Sequence, residues 1–426
     1  MVRNFGNSAL SLRRLALVLQ LPLAPVLALC LAVSLPATAA RAPQDDTPPG
    51  AKLLARIPVA PLGYQAPGAL YLLSGFAFNS LDFIDSDHLL FTFHEARLLR
   101  RERDATASDD DQMIHADVLA LPDGHVQAGA DWRMHDHARY LWALSGGRFL
   151  VRQRDAYWTT DASLKLQALI RSPTPILTTE VSPDGRLMLI EDVYERHTPE
   201  EHKKLSLEDD DNPPAEDAII AMLDVATKDI QAEFHVQEPM ALPVTSSGYL
   251  EGEEKRAGDY VITYHPFHGE PLPLGSVASE CDPRATFIST TAVMIASCGP
   301  NTPDLYLDAW TIDGKKLWQG RRDGTLALPN VVPALDGSRF AIALLHLSHS
   351  ATTPESITDA DVESQQVQVF DTRSGALLLA TDASPILAAG QNFALSADGT
   401  RLAVLRNGAI DVYEIPSTPL EQKKKK

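Results

Sequence analysis

The chain has 426 residues, a formal net charge of −19 at neutral pH and an aromatic content of 7%. This length allows a large buried core, and the acidic balance argues against nucleic-acid binding, which requires basic patches. The same charge favours solubility and a cationic partner.

The first 40 residues have the features of a secretory signal peptide. Basic residues precede an apolar run at 15–35, and Ala37-Thr38-Ala39 resembles a cleavage site. The apolar run is long, so a retained membrane anchor is the alternative. We predict a signal peptide at 1–40, a linker at 41–49, and a secreted or periplasmic protein without stable membrane insertion after cleavage.

One sequence motif, a pair of apolar strands joined by a short turn, recurs seven times between residues 81 and 415. In the clearest copy an apolar strand ends at Asp398-Gly399 and a second apolar strand follows directly. Asp-Gly is typical of tight hairpins, because their turns need positive φ. Close copies lie at 181–187 and 334–340, a good copy at 144–149, and degenerate copies at 84–89, 245–250 and 288–293.

Each hairpin is followed by a third strand and usually by a fourth. The clearest third strands are residues 114–121, 219–224, 260–264, 305–310, 367–371 and 410–415. The mean spacing of the units is roughly 52 residues, within the range of repeat architectures. Four antiparallel strands in each of seven units predict an all-β fold, a seven-bladed β-propeller over residues 50–416.

The seventh unit has no fourth strand of its own, because Pro416 follows its third strand. Residues 50–55 closely match residues 375–380, which form a fourth strand in the sixth unit. We predict that an N-terminal strand at 52–56 closes the ring, which removes an exposed sheet edge. A chance match in a Leu- and Ala-rich chain is the alternative. Residues 417–426 are predicted to be a disordered basic tail.

Two cysteines flank the degenerate hairpin of the fifth unit. If residues 289–290 form its turn, Phe287 faces Ala292. In that register Cys281 lies directly opposite Cys298, at a Cα separation that suits a disulfide. Together with export to an oxidising compartment, this predicts a Cys281–Cys298 bond, with two free buried thiols as the alternative.

Three connections between second and third strands are long, at 97–112, 193–217 and 347–363. Antiparallel order places them on the same face as the links between blades, and the Asp-Gly turns on the opposite face. Long loops on a rigid scaffold commonly carry binding sites. The candidate binding residues are Asp109, Asp110, Asp111, Glu208, Asp209, Asp210, Asp211, Asp359 and Asp361.

Residue patterns typical of metal sites and of catalysis are missing from the sequence. The acidic runs lack the Asp-x-Asp-x-Asp-Gly spacing of a calcium loop, so calcium remains only an alternative to a solvated loop. The close histidine pairs also lack the context of a zinc site: His135 and His137, His265 and His268, His346 and His349. No cofactor and no catalytic residue is predicted, since there is no Gly-x-Ser-x-Gly elbow and no Cys-x-x-Cys motif.

The Ser-x-Asp-Gly-x-x-Leu phrase, as in residues 396–402, resembles the repeats of WD-like, TolB-like and YVTN-like propellers, many of them exported bacterial proteins. The resemblance covers residues 50–416 and implies the propeller fold. No Trp-Asp dipeptide ends a third strand, so the pattern departs from standard WD repeats. Residues 305–318 resemble a quinoprotein repeat, which occurs once.

These observations predict an exported, non-enzymatic and monomeric propeller that binds a protein, peptide or glycan through its long acidic loops. The alternative is a hydrolase or lactonase with a divalent metal in the central channel. Three or more carboxylate or histidine side chains converging on the axis would favour that alternative. Fold alone does not decide between the two functions.

Overall fold

The computed structural model describes residues 47–67, 76–102, 109–196, 216–236, 240–299, 304–322, 330–348, 358–387 and 391–419. The chain divides into residues 1–46 and residues 47–426. The predicted signal peptide and most of the predicted linker fall in the first unit, outside the described residues. Most of the predicted basic tail, at 420–426, also lies outside the described residues. No helix among the described residues is long and apolar enough to cross a membrane.

The second unit is a seven-bladed β-propeller, with four antiparallel strands in each blade. Blade one contains β2 (Asn79–Phe83), β3 (His88–Glu95), β4 (Gln112–Ala120) and β5 (Val126–Met134). Blade two contains β6 (Leu141–Leu144), β7 (Arg148–Gln153), β8 (Ala156–Thr160) and β9 (Gln167–Arg171). Blade three contains β10 (Ile176–Val181), β11 (Leu187–Arg196), β12 (Glu216–Asp224) and β13 (Ile230–Val236).

The remaining blades follow in chain order. Blade four contains β14 (Val244–Thr245), β15 (Gly248–Arg256), β16 (Asp259–Pro266) and β17 (Leu272–Ala278). Blade five contains β18 (Arg284–Ser289), β19 (Ala292–Cys298), β20 (Leu305–Thr311) and β21 (Lys316–Arg322). Blade six contains β22 (Asn330–Pro333), β23 (Arg339–Leu347), β24 (Val362–Asp371) and β25 (Leu377–Ala383). Blade seven contains β26 (Phe393–Leu395), β27 (Arg401–Arg406), β28 (Ala409–Glu414) and the N-terminal β1 (Lys52–Pro58). Short 3₁₀ turns span Ala60–Leu62 and Asp359–Asp361.

The N-terminal strand closes the ring, which confirms the predicted seven blades and the predicted role of residues 52–56. β1 pairs antiparallel with β28, from Lys52 opposite Glu414 to Pro58 opposite Ala409. Ile57 is 2% exposed and belongs to a core shared by strands of blades seven and one. Closure therefore buries apolar surface as well as pairing a sheet edge.

The core lies between neighbouring blades. The period-2 pattern of the strands gives each sheet two apolar faces, and each face packs against the next blade. Trp318 of β21 stacks on Phe340 of β23 with ring centroids 5.9 Å apart, and Phe340 in turn stacks on Phe370 at 5.3 Å. These aromatic contacts join blade five to blade six.

The Asp-Gly turns pack against each other around one face of the ring. Gly185 has a φ of +65°, which favours glycine, and a Cβ there would lie 2.5 Å from the backbone nitrogen of Ser145. In blade seven, Ser396 Oγ donates to Asp398 at 2.6 Å and accepts from the backbone of Arg401 at 2.9 Å. The recurring serine and aspartate thus hold the turn, and the glycine permits close packing.

The Cys281–Cys298 disulfide is present, with Cα atoms 5.6 Å apart, but the predicted hairpin register is wrong. Phe287 faces Val293 rather than Ala292, and a bulge separates that pair from the next pair along the hairpin. The turn lies at residues 290–291, one position later than predicted. The bulge inserts one extra residue into β18, and this insertion shifts the register of the hairpin by one position.

Strands also extend into one predicted loop. β11 continues to Arg196 and β12 begins at Glu216, so both ends of the predicted loop at 193–217 are paired strand. The backbone hydrogen bonds of the ladder outweigh the polar composition that favoured a loop there. Residues 197–215, which include the candidate binding residues 208–211, lie outside the described part of the chain.

Candidate functional site

The acidic run 109–111 on the β3–β4 connection is held by side chains from blades one and two. Each carboxylate has its own partner: Asp109 with Arg154 at 2.6 Å, Asp110 with His137 at 2.9 Å, and Asp111 with His135 at 2.7 Å and with Arg133. Only Asp110 is well exposed, with 78% of its side chain accessible, against 7% for Asp109 and 11% for Asp111. The run therefore presents one accessible carboxylate rather than three.

The hydrogen bonds around Asp111 determine its protonation state. Burial alone would raise the pKa of Asp111, but hydrogen bonds from Arg133 and His135 outweigh burial and keep the pKa below its ordinary value. The carboxylate is consequently ionised at neutral pH and fixes the connection to the blade.

Donor atoms of Asp109, Asp111 and His135 lie within 4.8 Å of one another. Calcium takes six to eight oxygen ligands, whereas this group offers two carboxylates and one imidazole. Arg133 and Arg154 also contact the two carboxylates and would oppose a divalent cation. The donor set therefore does not fit the calcium alternative at this position.

In the β23–β24 connection, the Asp361 side chain bonds to its own loop. Asp359 begins the 3₁₀ turn and Asp361 ends it. The Asp361 carboxylate accepts from the backbone nitrogen of Thr358 at 2.9 Å and from its hydroxyl at 2.7 Å. This is capping chemistry, typical of aspartate in a turn.

An aromatic groove lies beside the β3–β4 connection and is lined by Phe76, Phe78, His94, Asp110 and His137; its volume is about 530 Å³. The Phe76 ring is 38% exposed and stacks on His137 with centroids 4.9 Å apart. Burial, and then the charge of His137, lower the pKa of His94. The groove therefore combines aromatic faces with two exposed carboxylates, Glu95 and the more accessible Asp110.

Four charged side chains of the described residues act on one another at the central channel, and we call them the channel cluster: Asp82, Arg139, Glu180 and Arg284. Asp82, Arg139 and Glu180 line a chamber of about 190 Å³ to which all seven blades contribute residues. The charge of Arg284 acts on Glu180. The charged groups seen here are two carboxylates and two guanidinium groups, not three converging metal ligands.

The surrounding ring of protein shifts the pKa values of the channel cluster. Burial raises the pKa of Asp82 to about 6, although a hydrogen bond from Ser80 and the charge of Arg139 lower it. Burial also raises the pKa of Glu180 and lowers the pKa of Arg139, against the effect of their opposite charges. Arg139 itself is exposed at the wall of the chamber.

At pH 7.5 the Asp82→Asn variant is expected to be more stable than the wild type by about 3 kcal/mol, and so to unfold at a higher denaturant concentration. The folded pKa lies above the unfolded value, so native Asp82 binds more protons. The stability of the wild type therefore falls as pH rises from about 4 to about 6. The Asp82→Asn variant avoids this loss because its side-chain amide does not titrate. Urea unfolding at pH 3.5 and 7.5 measures the difference, which should vanish at the lower pH. Glu414→Gln, at an exposed carboxylate, should change stability by less than about 0.5 kcal/mol at both pH values.

The turn face of the ring also has an opening. A cavity of about 620 Å³ there is lined by the turns of blades one and two and by strands of blades six and seven, and it shares Asp82 with the chamber. This cavity adjoins the chamber, and we call it the mouth of the chamber.

Neither the aromatic groove nor the channel cluster was predicted from the sequence. Phe76 and Phe78, two aromatic residues on one side of the segment before β2, were the available signal for the groove. The members of the channel cluster are far apart in the chain, and no local motif links them.

No protein-family model matches the chain, and no curated protein matches it. Solved structures with a similar fold include Pyrococcus horikoshii acylaminoacyl peptidase, at TM-score 0.47 and 11% identity, over 82% of this chain and 53% of that chain. The C-terminal WD40 domain of Sif2 has TM-score 0.40 and 10% identity, over 86% and 99%. TolB from Acinetobacter baumannii has TM-score 0.36 and 12% identity, over 77% and 80%.

Two of these neighbours are thus a WD40 domain and a TolB protein. The chain spans about half the length of the peptidase chains that it matches. At such low identity the likeness concerns the fold alone.

Proposed function

We propose that this chain is an exported binding propeller that holds a basic segment of a peptide or protein in the aromatic groove. The observation that carries the proposal is the exposed Phe76 ring, stacked on His137 beside the exposed carboxylate of Asp110. Aromatic faces attract lysine and arginine side chains, and a nearby carboxylate adds to that attraction.

The attachment of the β3–β4 connection supports this reading. The ion pairs of Asp109 and Asp111 hold one wall of the groove, so little entropy is lost when a ligand orders that wall. The net negative charge of the chain further favours a basic partner and speeds its approach. The disulfide is consistent with an oxidising compartment, which supports export.

A metal-dependent hydrolase gains no support from the channel. Arg139 lines the chamber together with the two carboxylates, and the charge of Arg284 also acts there. A divalent cation would lie close to these two positive charges. Metal analysis of the purified protein tests this alternative directly, since stoichiometric calcium or zinc would revive it.

Phe76→Ala is expected to weaken binding of a lysine- and arginine-rich peptide about tenfold, because a cation–π contact is lost. Asp110→Asn should weaken the same binding and reduce its salt dependence. Calorimetry with peptides selected on an array measures both effects.

Two exposed positions outside the groove provide matched controls for this experiment. Ile230→Ala on β13 and Asp123→Asn on the β4–β5 turn should leave the affinity unchanged. Basic peptides that bind Phe76→Ala as tightly as the wild type would rule out the groove. Selective binding of glycans, lost in Phe76→Ala, would retain the groove but change the class of ligand.

A further inference from the structure

The central chamber has the composition of a small-ligand site rather than of a filled core. Its walls combine apolar side chains, including Leu81, Phe287 and Val332, with charged and polar groups on a comparable part of the surface. Ligand sites typically combine an apolar lining with a few oriented polar groups. The volume of about 190 Å³ is below the roughly 300 Å³ at which pockets for drug-sized ligands begin. Only a compact ligand fits such a chamber.

Arg139 is oriented before any ligand binds. Its Nε donates to the backbone oxygen of Leu141 at 3.1 Å, and its guanidinium lies 5.2 Å from the ring centroid of Trp142. Within the described part of the chain, its two terminal nitrogens have no hydrogen-bond or ion-pair partner. A guanidinium held in this way can bind a carboxylate through two parallel hydrogen bonds.

Asp82 and Glu180 are the two acidic members of the channel cluster and provide its negative charge. Asp82 accepts from Ser80 Oγ at 2.7 Å, whereas Glu180 is influenced by the charges of Arg139 and Arg284. Among the described residues, neither carboxylate forms an ion pair within 4 Å. Buried charges that serve only stability are normally in contact, because separation leaves their desolvation uncompensated. The spaces between these charges can therefore hold water or a ligand with charges of both signs.

We propose that the chamber binds a small zwitterion, a free amino acid or a dipeptide, with its carboxylate on Arg139 and its ammonium between Asp82 and Glu180. The formal charges of the channel cluster cancel, so a ligand with a single charge would leave one charge of the cluster without its counterpart. A zwitterion pairs with both signs at once. The apolar wall accepts an aliphatic side chain, and the mouth on the turn face provides entry.

Calorimetry at pH 7.5 with glycyl-leucine, its N-acetyl form, its C-terminal amide and the doubly blocked form tests each contact. The free dipeptide should bind, and each single block should weaken binding about ten- to a hundredfold, the range for a hydrogen bond to a charged group. Free leucine in the same titration shows whether one residue suffices. Arg139→Gln should weaken binding of the free dipeptide by the same factor. The variant should also lose the wild type's preference for the free dipeptide over its C-terminal amide.

Arg256→Gln is the matched control, because Arg256 is exposed and does not line the chamber. If Arg139→Gln does not fold, Glu180→Gln is tested instead. This variant should bind the free dipeptide more weakly than the wild type and bind the N-acetyl form with unchanged affinity. The proposal is overturned if neither the free dipeptide nor leucine binds at concentrations on the order of millimolar. Equal binding of the doubly blocked form, or unchanged binding by a folded Arg139→Gln, would also overturn it. The aromatic groove is a separate site, so neither result bears on basic peptides.

Discussion

Replacing Ile57 with alanine is expected to lower the free energy of unfolding by about 3 kcal/mol, the usual cost of a large-to-small change in a packed core. Ile57 is 2% exposed and faces Ile410 in the strand pair that closes the ring. Its side chain also fills the space where a Cβ of Gly124 would lie, in the β4–β5 turn of blade one. The substitution therefore loosens both the closing strand and the contact between blades seven and one.

Chemical denaturation of the two proteins measures this effect. Lys52→Ala is the control on the same strand, because Lys52 is 74% exposed and its ion pair with Glu414 is 3.6 Å long. Such a surface pair contributes less than about 1 kcal/mol. Equal stability of Ile57→Ala and the wild type would mean that β1 is not part of the cooperative unit.

Replacing Cys281 and Cys298 with alanine is expected to cost about 3 kcal/mol of stability. The bond joins residues 17 positions apart, and loss of such a cross-link frees a loop of that size in the unfolded chain. Cys298 is 4% exposed, and alanine avoids burying a new hydroxyl group there. Urea unfolding of the double variant and of the wild type measures the difference.

Reduction provides the control, because wild type in excess reductant should unfold at the midpoint of the double variant. The double variant itself should not respond to reductant. Thiol titration of the unfolded, unreduced wild type should detect no free thiol, and two reactive thiols would contradict the disulfide.

The blade count and the ring closure were predictable because they depend on local patterns that recur. Each Asp-Gly turn marks a hairpin, and the match between residues 50–55 and 375–380 identified the missing strand. The disulfide was also found, although its register was not. No Asp-Gly turn fixes the hairpin of blade five, and a bulge moved Phe287 opposite Val293.

The candidate sites were less predictable because their residues come together only in the folded ring. The acidity of 109–111 is visible in the sequence, but its partners Arg133, His135 and Arg154 lie on later strands and turns. Strand periodicity gives the face of a sheet to which a side chain belongs, but not its distance from the central axis. Asp82 and Glu180 could therefore not be assigned to the channel from the sequence.

The pairing of β1 with β28 has a consequence for the order in which the protein is made. During vectorial synthesis β1 leaves the ribosome before any other strand of the propeller, yet its partner is the last strand to follow. Among the strand pairs of the described residues, this closing pair therefore has the largest separation along the sequence, and closing so long a loop costs much entropy. Until β28 is available, β1 exposes an unpaired apolar strand, a state in which other chains can bind it. A chaperone that occupies residues 52–58 during this interval would raise the yield of native protein without altering its final stability.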